Sequence, residues 1–89
     1  MIQFTDNEGD PFLATVNGSF IAVGTTQGVI KVFDLSRREA KLVGGSMNLK
    51  QQLPNFDTLK DLGLSCDGNK VTMTVLKVKL INFIYLKKL

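Results

Sequence analysis

The sequence contains no histidine and a single cysteine, Cys66. One thiol cannot form an intramolecular disulfide, which argues against a secreted scaffold held by disulfides and fits a reducing compartment. Without histidine, a Cys/His nucleophile and the usual zinc sites are excluded within this polypeptide. Asp6, Glu8 and Asp10 also lack the loop pattern of a calcium-binding EF-hand. The residue inventory therefore predicts no enzyme, no metal site and no cofactor.

Long apolar runs are missing as well. No stretch reaches the roughly 18 consecutive apolar residues that a membrane-spanning helix needs. The N-terminal region carries three acids within its first ten residues, where a signal peptide needs a basic start followed by an apolar run. The sequence therefore predicts neither a signal peptide nor a membrane span.

The 89 residues that are present suit one small folded unit, because 44% of them are hydrophobic and only 21% are charged. A chain this short buries only about 60% of the surface that it exposes when unfolded, so nearly every apolar side chain must find cover. The net charge of +3 is concentrated at one end, since residues 70–89 hold five lysines and no acid. The basic character is thus a property of the tail.

Four short runs of apolar and β-branched residues alternate with turn residues in the first half of the chain: Phe12–Val16, Phe20–Val23, Val29–Phe33 and Ala40–Val43. The dipeptide Asn17-Gly18 tolerates positive φ and favours a tight hairpin between the first two runs. No amphipathic pattern of period 3.6 competes over this region. The pattern predicts an antiparallel meander of four strands, which ends at Gly44-Gly45.

The same pattern starts again after a connection at residues 46–58, in which Pro54 interrupts any regular element and a helical turn could precede it. Leu59–Ser65 and Lys70–Leu76 are strand-like and flank a second turn dipeptide, Asp67-Gly68. Gly18 and Gly68 lie 50 residues apart, slightly more than the ~40–45 residues of one propeller blade. We therefore expect a partial second sheet.

The tail at residues 77–89 combines lysines with a nearly continuous apolar run, and is interpreted either as a strand or as a helix that needs burial. Leu80–Leu86 is the window most prone to aggregate if left uncovered. Lysines beside Phe83 and Tyr85 also allow an alternative function, a small basic β module that binds an anionic surface such as a membrane or nucleic acid. The lysines concerned are Lys77, Lys79, Lys87 and Lys88.

Two short segments are similar to parts of WD repeats. Gly28–Leu35 matches the signature in which glycine opens the third strand and an aromatic-Asp pair closes it, with Phe33 in the place of the usual tryptophan. Residues 65–68 (Ser-Cys-Asp-Gly) resemble the Ser-Pro-Asp-Gly turn between the first two strands of a following blade, with Cys66 at the proline position.

Three longer segments carry a more specific resemblance: Asn7–Leu13, Asn17–Thr25 and Phe33–Lys41. Together they resemble a blade in the second WD-repeat propeller of the intraflagellar transport protein 140 family. The resemblance covers roughly residues 4–76, and beyond Leu76 the tail no longer looks like the family. Since family proteins are far longer, we expect a fragment or a truncated product, with foreign sequence at its end.

The resemblance implies an all-β fold, a WD40-type propeller fragment of one blade and part of the next. On this interpretation residues 1–45 form a blade, 46–58 a linker, 59–76 a partial second blade and 77–89 a divergent basic-apolar tail. It further implies a non-catalytic scaffold in a subunit of intraflagellar transport complex A, which serves retrograde transport and cilium assembly in the cilium and cytoplasm. Its partners would be other complex A subunits, with no small-molecule substrate and no nucleic acid or membrane.

The loop Ser36-Arg37-Arg38 is the first candidate for partner contact, because on a propeller it would lie at a rim. Paired arginines can also hold a phosphate, so an anion or phosphorylation site is an alternative to a solvated hairpin loop. Asp34, just before the loop, is expected to accept backbone N–H groups in a turn.

Overall fold

β-branched and aromatic residues are concentrated in the runs that form strands, as their preference for a pleated, half-buried surface predicts. A computed structural model describes residues 4–36, 38–53, 56–66, 68–77 and 81–88, and the side chains among these as far as residue 75. The elements in this part of the chain are β1 Pro11–Asn17, β2 Phe20–Thr25, β3 Val29–Asp34, β4 Lys41–Asn48, α1 Leu49–Gln52, β5 Phe56–Leu64, β6 Lys70–Lys77 and β7 Ile81–Lys88. A single 3-10 turn at Asp6–Glu8 precedes β1.

The strands form two antiparallel sheets, the first in the order β1-β2-β3-β4 and the second in the order β5-β6-β7. Within each sheet, every strand pairs with the next one along the chain, as expected for strands joined by short turns. The all-β fold and the meander of four strands are thereby confirmed.

The first hairpin turn forms beside the dipeptide Asn17-Gly18. Asn17 pairs with Phe20 across the turn, and Gly18 adopts a φ of 60°. The two loop residues are therefore Gly18 and Ser19, one position later than the dipeptide predicts, and glycine at the first loop position supplies the positive φ that matches the right-handed twist of the flanking strands.

The fourth strand is longer than the sequence pattern predicts, and the prediction that it ends at Gly44-Gly45 is wrong. Val32 pairs with Val43 and Ile30 pairs with Met47, so β4 inserts extra residues opposite β3 and then resumes pairing. Gly44 takes a φ of 64° within this bulge. Glycine can therefore bend a strand without ending it.

The segment at residues 46–58 holds the end of β4, the helix α1 and the start of β5. The helical turn expected before Pro54 is present as α1, and the Asn48 side chain caps it by accepting a hydrogen bond of 3.3 Å from the Gln51 N–H. Pro54 itself lies outside the described residues. The division into blade, linker, partial blade and tail stays a prediction.

The sequence allowed either a strand or a helix in the tail, and the structure shows a strand, β7. β7 pairs antiparallel with β6 over its whole length, from Lys70 opposite Lys88 to Lys77 opposite Ile81. Residues 78–80 and Leu89 lie outside the described part of the chain.

The core lies between the two sheets. The first sheet contributes its inner face, and β5 and β6 contribute theirs; the buried residues that meet there are Ala22, Ile30, Val32, Met47, Leu49, Leu59, Leu62, Val71, Met73 and Val75. On β6 every second residue is buried, as a half-buried strand requires. The two sheets thus bury one apolar face each against the other.

The two sheets approach most closely at two glycines. A β-carbon at Gly24 would overlap Cδ2 of Leu59, and a β-carbon at Gly68 would lie 2.6 Å from Cδ1 of Phe20. Each glycine therefore admits a large side chain from the opposite sheet. The hairpin turns at Gly18 and Gly68 also lie side by side, since a β-carbon at Gly18 would be 3.3 Å from the Cys66 carbonyl oxygen.

Candidate interaction surface

The loop between β3 and β4 projects from the end of the sheet that carries the Asn17-Gly18 turn. Asp34 Oδ1 accepts hydrogen bonds from the Ser36 N–H at 2.9 Å and from the Ser36 hydroxyl at 2.6 Å. The Leu35 N–H donates to the Ser19 carbonyl at 2.7 Å, which joins this loop to the first hairpin. Asp34 therefore has the turn-forming role that the sequence predicts for it.

Ser36 and Arg38 are both exposed on this loop, whereas Arg37 lies outside the described residues. A cavity of about 590 Å³ adjoins the loop and is lined by Arg38, Glu39, Ala40, Lys41 and Leu42. Leu42 supplies an apolar part of the cavity lining, and its side chain is substantially exposed. Charged groups around an exposed leucine are a feature of protein contact surfaces. The assignment of Ser36, Arg37 and Arg38 to partner contact stays a prediction.

The opposite end of the sheet carries a feature that the sequence did not predict. Residues 4–10, called the N-terminal strap below, lie against the outer face of the first sheet. The Thr26 N–H donates to the Asp10 carbonyl at 2.9 Å, and the Thr26 hydroxyl oxygen accepts from the Asp10 N–H at 3.1 Å. The strap is thereby tied to the turn between β2 and β3.

Thr25 is the centre of this attachment. Its side chain is 0% exposed, and its hydroxyl donates to the Glu8 carbonyl while its oxygen accepts from the N–H groups of Gln27 and Val29 at 3.3 and 3.2 Å. A buried hydroxyl without partners would cost about 1–3 kcal/mol, so this full set of partners stabilises both the turn and the strap. Sequence reasoning missed it because a threonine inside a strand pattern is ordinary.

A second tie links the strap to β3. The Glu8 carboxylate lies 2.9 Å from the Lys31 ammonium, and that ammonium lies 4.7 Å from the centre of the Phe4 ring. The hydrogen bond from the Thr5 N–H and then the contact with Lys31 hold the pKa of Glu8 below its ordinary value of 4.5. Lys31 of β3 is thus ion-paired with the strap.

A cavity of about 440 Å³ separates the strap from the sheet. Phe4, Pro11 and Val23 supply its apolar wall, and Asp6 and Asp10 are the charged residues that line it. A smaller cavity of about 240 Å³ continues along β1 and shares Pro11 and Val23 with the first, with Phe12, Leu13 and Ala14 as its other walls. The two cavities thus share two lining residues, but only the larger one is lined by aspartates.

Cys66 is exposed in the turn between β5 and β6. Among the described residues, no group of three or more carboxylate or thiol side chains could hold a metal ion. Nor is any helix in that part of the chain long and apolar enough to cross a membrane.

For the tail lysines, the structure describes only the backbone. Lys77 ends β6, Lys87 and Lys88 lie in β7, and Lys79 lies outside the described residues. The alternative function as a basic module for an anionic surface stays a prediction.

Two antiparallel sheets of consecutive strands, stacked face to face, are the arrangement that neighbouring blades have in a β-propeller. Since β-sandwiches also stack two antiparallel sheets, it is the family match that identifies the chain as a β-propeller segment. Its residues 1–85 match the family model described as the IFT140 second beta-propeller, and the chain belongs to that family. The family is a propeller of a structural subunit of the intraflagellar transport machinery.

The family match also corrects one expectation. The resemblance was expected to end at Leu76, but the match continues through residue 85 and includes most of β7. The apolar run of the tail lacks recognisable turn or signature residues, which explains why sequence inspection did not assign it to the family.

Proposed function

We propose that this chain is a non-catalytic scaffold segment of an intraflagellar transport complex A subunit, built from WD-type repeats. In this role it supports retrograde ciliary transport and cilium assembly through contacts with other complex A subunits, in the cilium and the cytoplasm. The observation that carries the proposal is the family match over residues 1–85.

The surface of the first sheet supports a role in assembly. Its outer face, opposite the second sheet, presents Val16 at 62% exposure, and Phe12 on the same strand is 48% exposed. In repeat architectures each unit leaves an apolar face that a neighbouring unit covers. This face therefore suits packing against another sheet better than contact with water.

Co-purification from ciliated cells tests the proposed function. The epitope-tagged chain is expected to enrich complex A subunits and to concentrate at cilia. A matched Leu59→Asp variant, in which a buried residue of the sheet interface becomes charged, serves as the unfolded control. Equal recovery of complex A subunits with the chain and with this control would contradict the proposal.

The loop at Ser36, Arg37 and Arg38 is our proposed contact with those subunits. Replacing both arginines with alanine is expected to lower recovery of complex A subunits, because two cations and their hydrogen-bond donors are lost. Lys60→Ala with Lys70→Ala removes two exposed charges elsewhere and provides the control. Unchanged recovery with the arginine variant would remove this loop from the interface.

A further inference from the structure

The loop between β3 and β4 lies at the end of the first sheet, beyond the two faces on which sheets stack. The Leu35 N–H ties it to the Ser19 carbonyl of the first hairpin at 2.7 Å. Ser36 is exposed there and belongs to neither strand. Because neighbouring blades cover the faces of a sheet and its connecting loops run over the surface, the Ser36 hydroxyl is accessible to an enzyme in the assembled propeller.

The other three serines of the chain are placed differently. Ser19 lies in the two-residue loop between β1 and β2, and Ser46 lies within β4. The Ser65 hydroxyl oxygen accepts a hydrogen bond from the Lys70 N–H at 2.9 Å. A kinase must hold several residues around the acceptor hydroxyl in an extended form, which needs local opening of the substrate. The longer loop around Ser36 opens without loss of a strand.

Asp34 holds the Ser36 hydroxyl in the unmodified loop. Its Oδ1 atom accepts from that hydroxyl at 2.6 Å and from the Ser36 N–H at 2.9 Å. A phosphorylated oxygen has no proton to donate, and the phosphate carries a charge of about −1.5 to −2 at pH 7. Such a charge is repelled by a carboxylate beside it. Phosphorylation therefore breaks the bond between the two side chains.

Cations in the same segment can receive the phosphate. Arg38 follows Ser36 by two residues, and both Arg38 and Lys41 are exposed and line the cavity beside the loop, together with the acid Glu39. A guanidinium can hold a phosphate through two parallel hydrogen bonds. Residues 34–41 contain three bases and two acids in the sequence, so one phosphate reverses the sign of the local charge.

We propose that Ser36 is the substrate of a serine kinase that recognises arginine after the acceptor residue, and that its phosphate leaves Asp34 and pairs with Arg38. The kinase transfers the γ-phosphoryl group of MgATP. A bond forms between Ser36 Oγ and the γ-phosphorus, the bond from that phosphorus to the oxygen of the departing ADP breaks, and the hydroxyl proton passes to a kinase carboxylate.

The consequence for binding rests on the proposed function, because it concerns the same loop. The phosphate occupies the guanidinium of Arg38 and makes the segment negative, so an acidic partner surface that the arginines attract is repelled. Phosphorylation of Ser36 thus releases complex A subunits from this loop.

Phosphate incorporation by the purified full chain tests the site without any partner. The chain is incubated with MgATP and the catalytic domain of a serine kinase that selects arginine two residues after serine, and mass spectrometry locates the phosphate. We expect about tenfold more phosphate at Ser36 than at any other residue, and a loss of about tenfold in Ser36→Ala. Ser19→Ala, an exposed serine at the same end of the sheet, should incorporate as much as the wild type. Little phosphate at Ser36, or equal loss in both variants, would overturn the proposal.

The pairing with Arg38 is tested on chains that carry phosphoserine at position 36 from translation, so that no kinase is needed. Phosphorus NMR follows the second ionisation of the phosphate, whose pKa of about 6 falls beside a cation. We expect Arg38→Ala to raise the pKa of the phosphate, and Lys60→Ala, which removes an exposed cation on β5, to leave it unchanged. Equal values in the phosphorylated wild type and in Arg38→Ala would overturn the pairing.

Recovery of complex A subunits from ciliated cells separates the switch from the contact itself. The chain with phosphoserine at position 36 should recover these subunits about threefold less well than the unmodified chain, and phosphatase treatment should restore recovery. Equal recovery of the two forms would overturn the switch. The variant with alanine at both arginines then decides about the proposed contact, since reduced recovery retains it and unchanged recovery removes it.

Discussion

The side-chain amide of Asn17 donates a hydrogen bond of 2.8 Å to the main-chain carbonyl of Leu64, and so joins the first sheet to the second. Asn17 also begins the hairpin turn with Gly18, while Leu64 ends β5 just before the second turn. One side chain therefore fixes both the local turn and the position of the neighbouring sheet. The two turns therefore lie side by side at the same end of the stacked sheets.

Asn17→Asp tests this link, because aspartate has nearly the same shape and lacks the amide donor. We expect the free energy of unfolding to fall by about 1 kcal/mol or more, since the carboxylate faces a carbonyl oxygen and cannot donate. Urea denaturation followed by circular dichroism measures the change. Asn7→Asp makes the same substitution at an exposed position of the strap and should alter stability by less than about 0.5 kcal/mol. Equal losses would show that the inter-sheet bond contributes nothing.

Gly68→Ala should destabilise the chain for two separable reasons. Gly68 has a φ of 73°, which costs about 1–3 kcal/mol for a residue with a side chain, and its β-carbon would lie 2.6 Å from the Phe20 ring. Gly45→Ala is the control, because a β-carbon there meets nothing within 4 Å, and we expect it to be neutral.

Phe20→Ala in the same background separates the two contributions of Gly68. Removing the ring relieves the overlap but leaves the backbone strain, so the double variant should lose less stability than the sum of the single variants. Strict additivity in urea denaturation would show that the ring and the glycine do not contact each other.

The strands of the first sheet could be predicted because their apolar, β-branched and aromatic residues form short runs and the turns between them contain glycine. β5 could not be predicted in full, since its inward residues Phe56, Leu59 and Leu62 recur every three residues. Register shifts between Phe56 and Thr58 and between Leu59 and Asp61 insert one extra residue each. Each bulge returns the next apolar residue to the core face. The inward residues of β5 therefore recur every three positions instead of every two.

The candidate site was predicted only in part, for a related reason. Asp34 and Ser36 interact two residues apart, so their turn follows from local sequence. Thr25 and Glu8 lie 17 residues apart, and nothing in their spacing indicates that they meet. The N-terminal strap and its cavity depend on such tertiary contacts, which composition and periodicity do not encode.

Gly24 and Leu59 should show strong energetic coupling across the sheet interface. Gly24→Ala places a methyl group where Cδ2 of Leu59 lies, and overpacking of this kind costs about 1–3 kcal/mol. Leu59→Ala alone should cost about 2–5 kcal/mol through the cavity that it leaves. In the double variant the new methyl group partly fills that cavity, so the combined loss should fall below the sum by about 0.5–3 kcal/mol. An additive double-mutant cycle would contradict the packing of the two sheets at this point.

The ion pair of the strap should make stability depend on pH below neutrality. The pKa of Glu8 is lower in the folded chain than its ordinary value of 4.5, because the carboxylate accepts the Thr5 N–H at 2.8 Å and lies 2.9 Å from Lys31. A carboxylate with a lowered folded pKa contributes stability above the unfolded pKa, and this contribution is lost as the pH falls through the folded pKa.

Glu8→Gln removes the charge but keeps an acceptor for the Thr5 N–H. The wild type should therefore melt at a higher temperature than Glu8→Gln at about pH 7, and the difference should shrink below about pH 4.5. Thermal unfolding by circular dichroism across this range measures it, with Glu39→Gln as the exposed control. A difference that stays constant or grows in acid would show that the Glu8 to Lys31 pair does not hold the strap to the sheet.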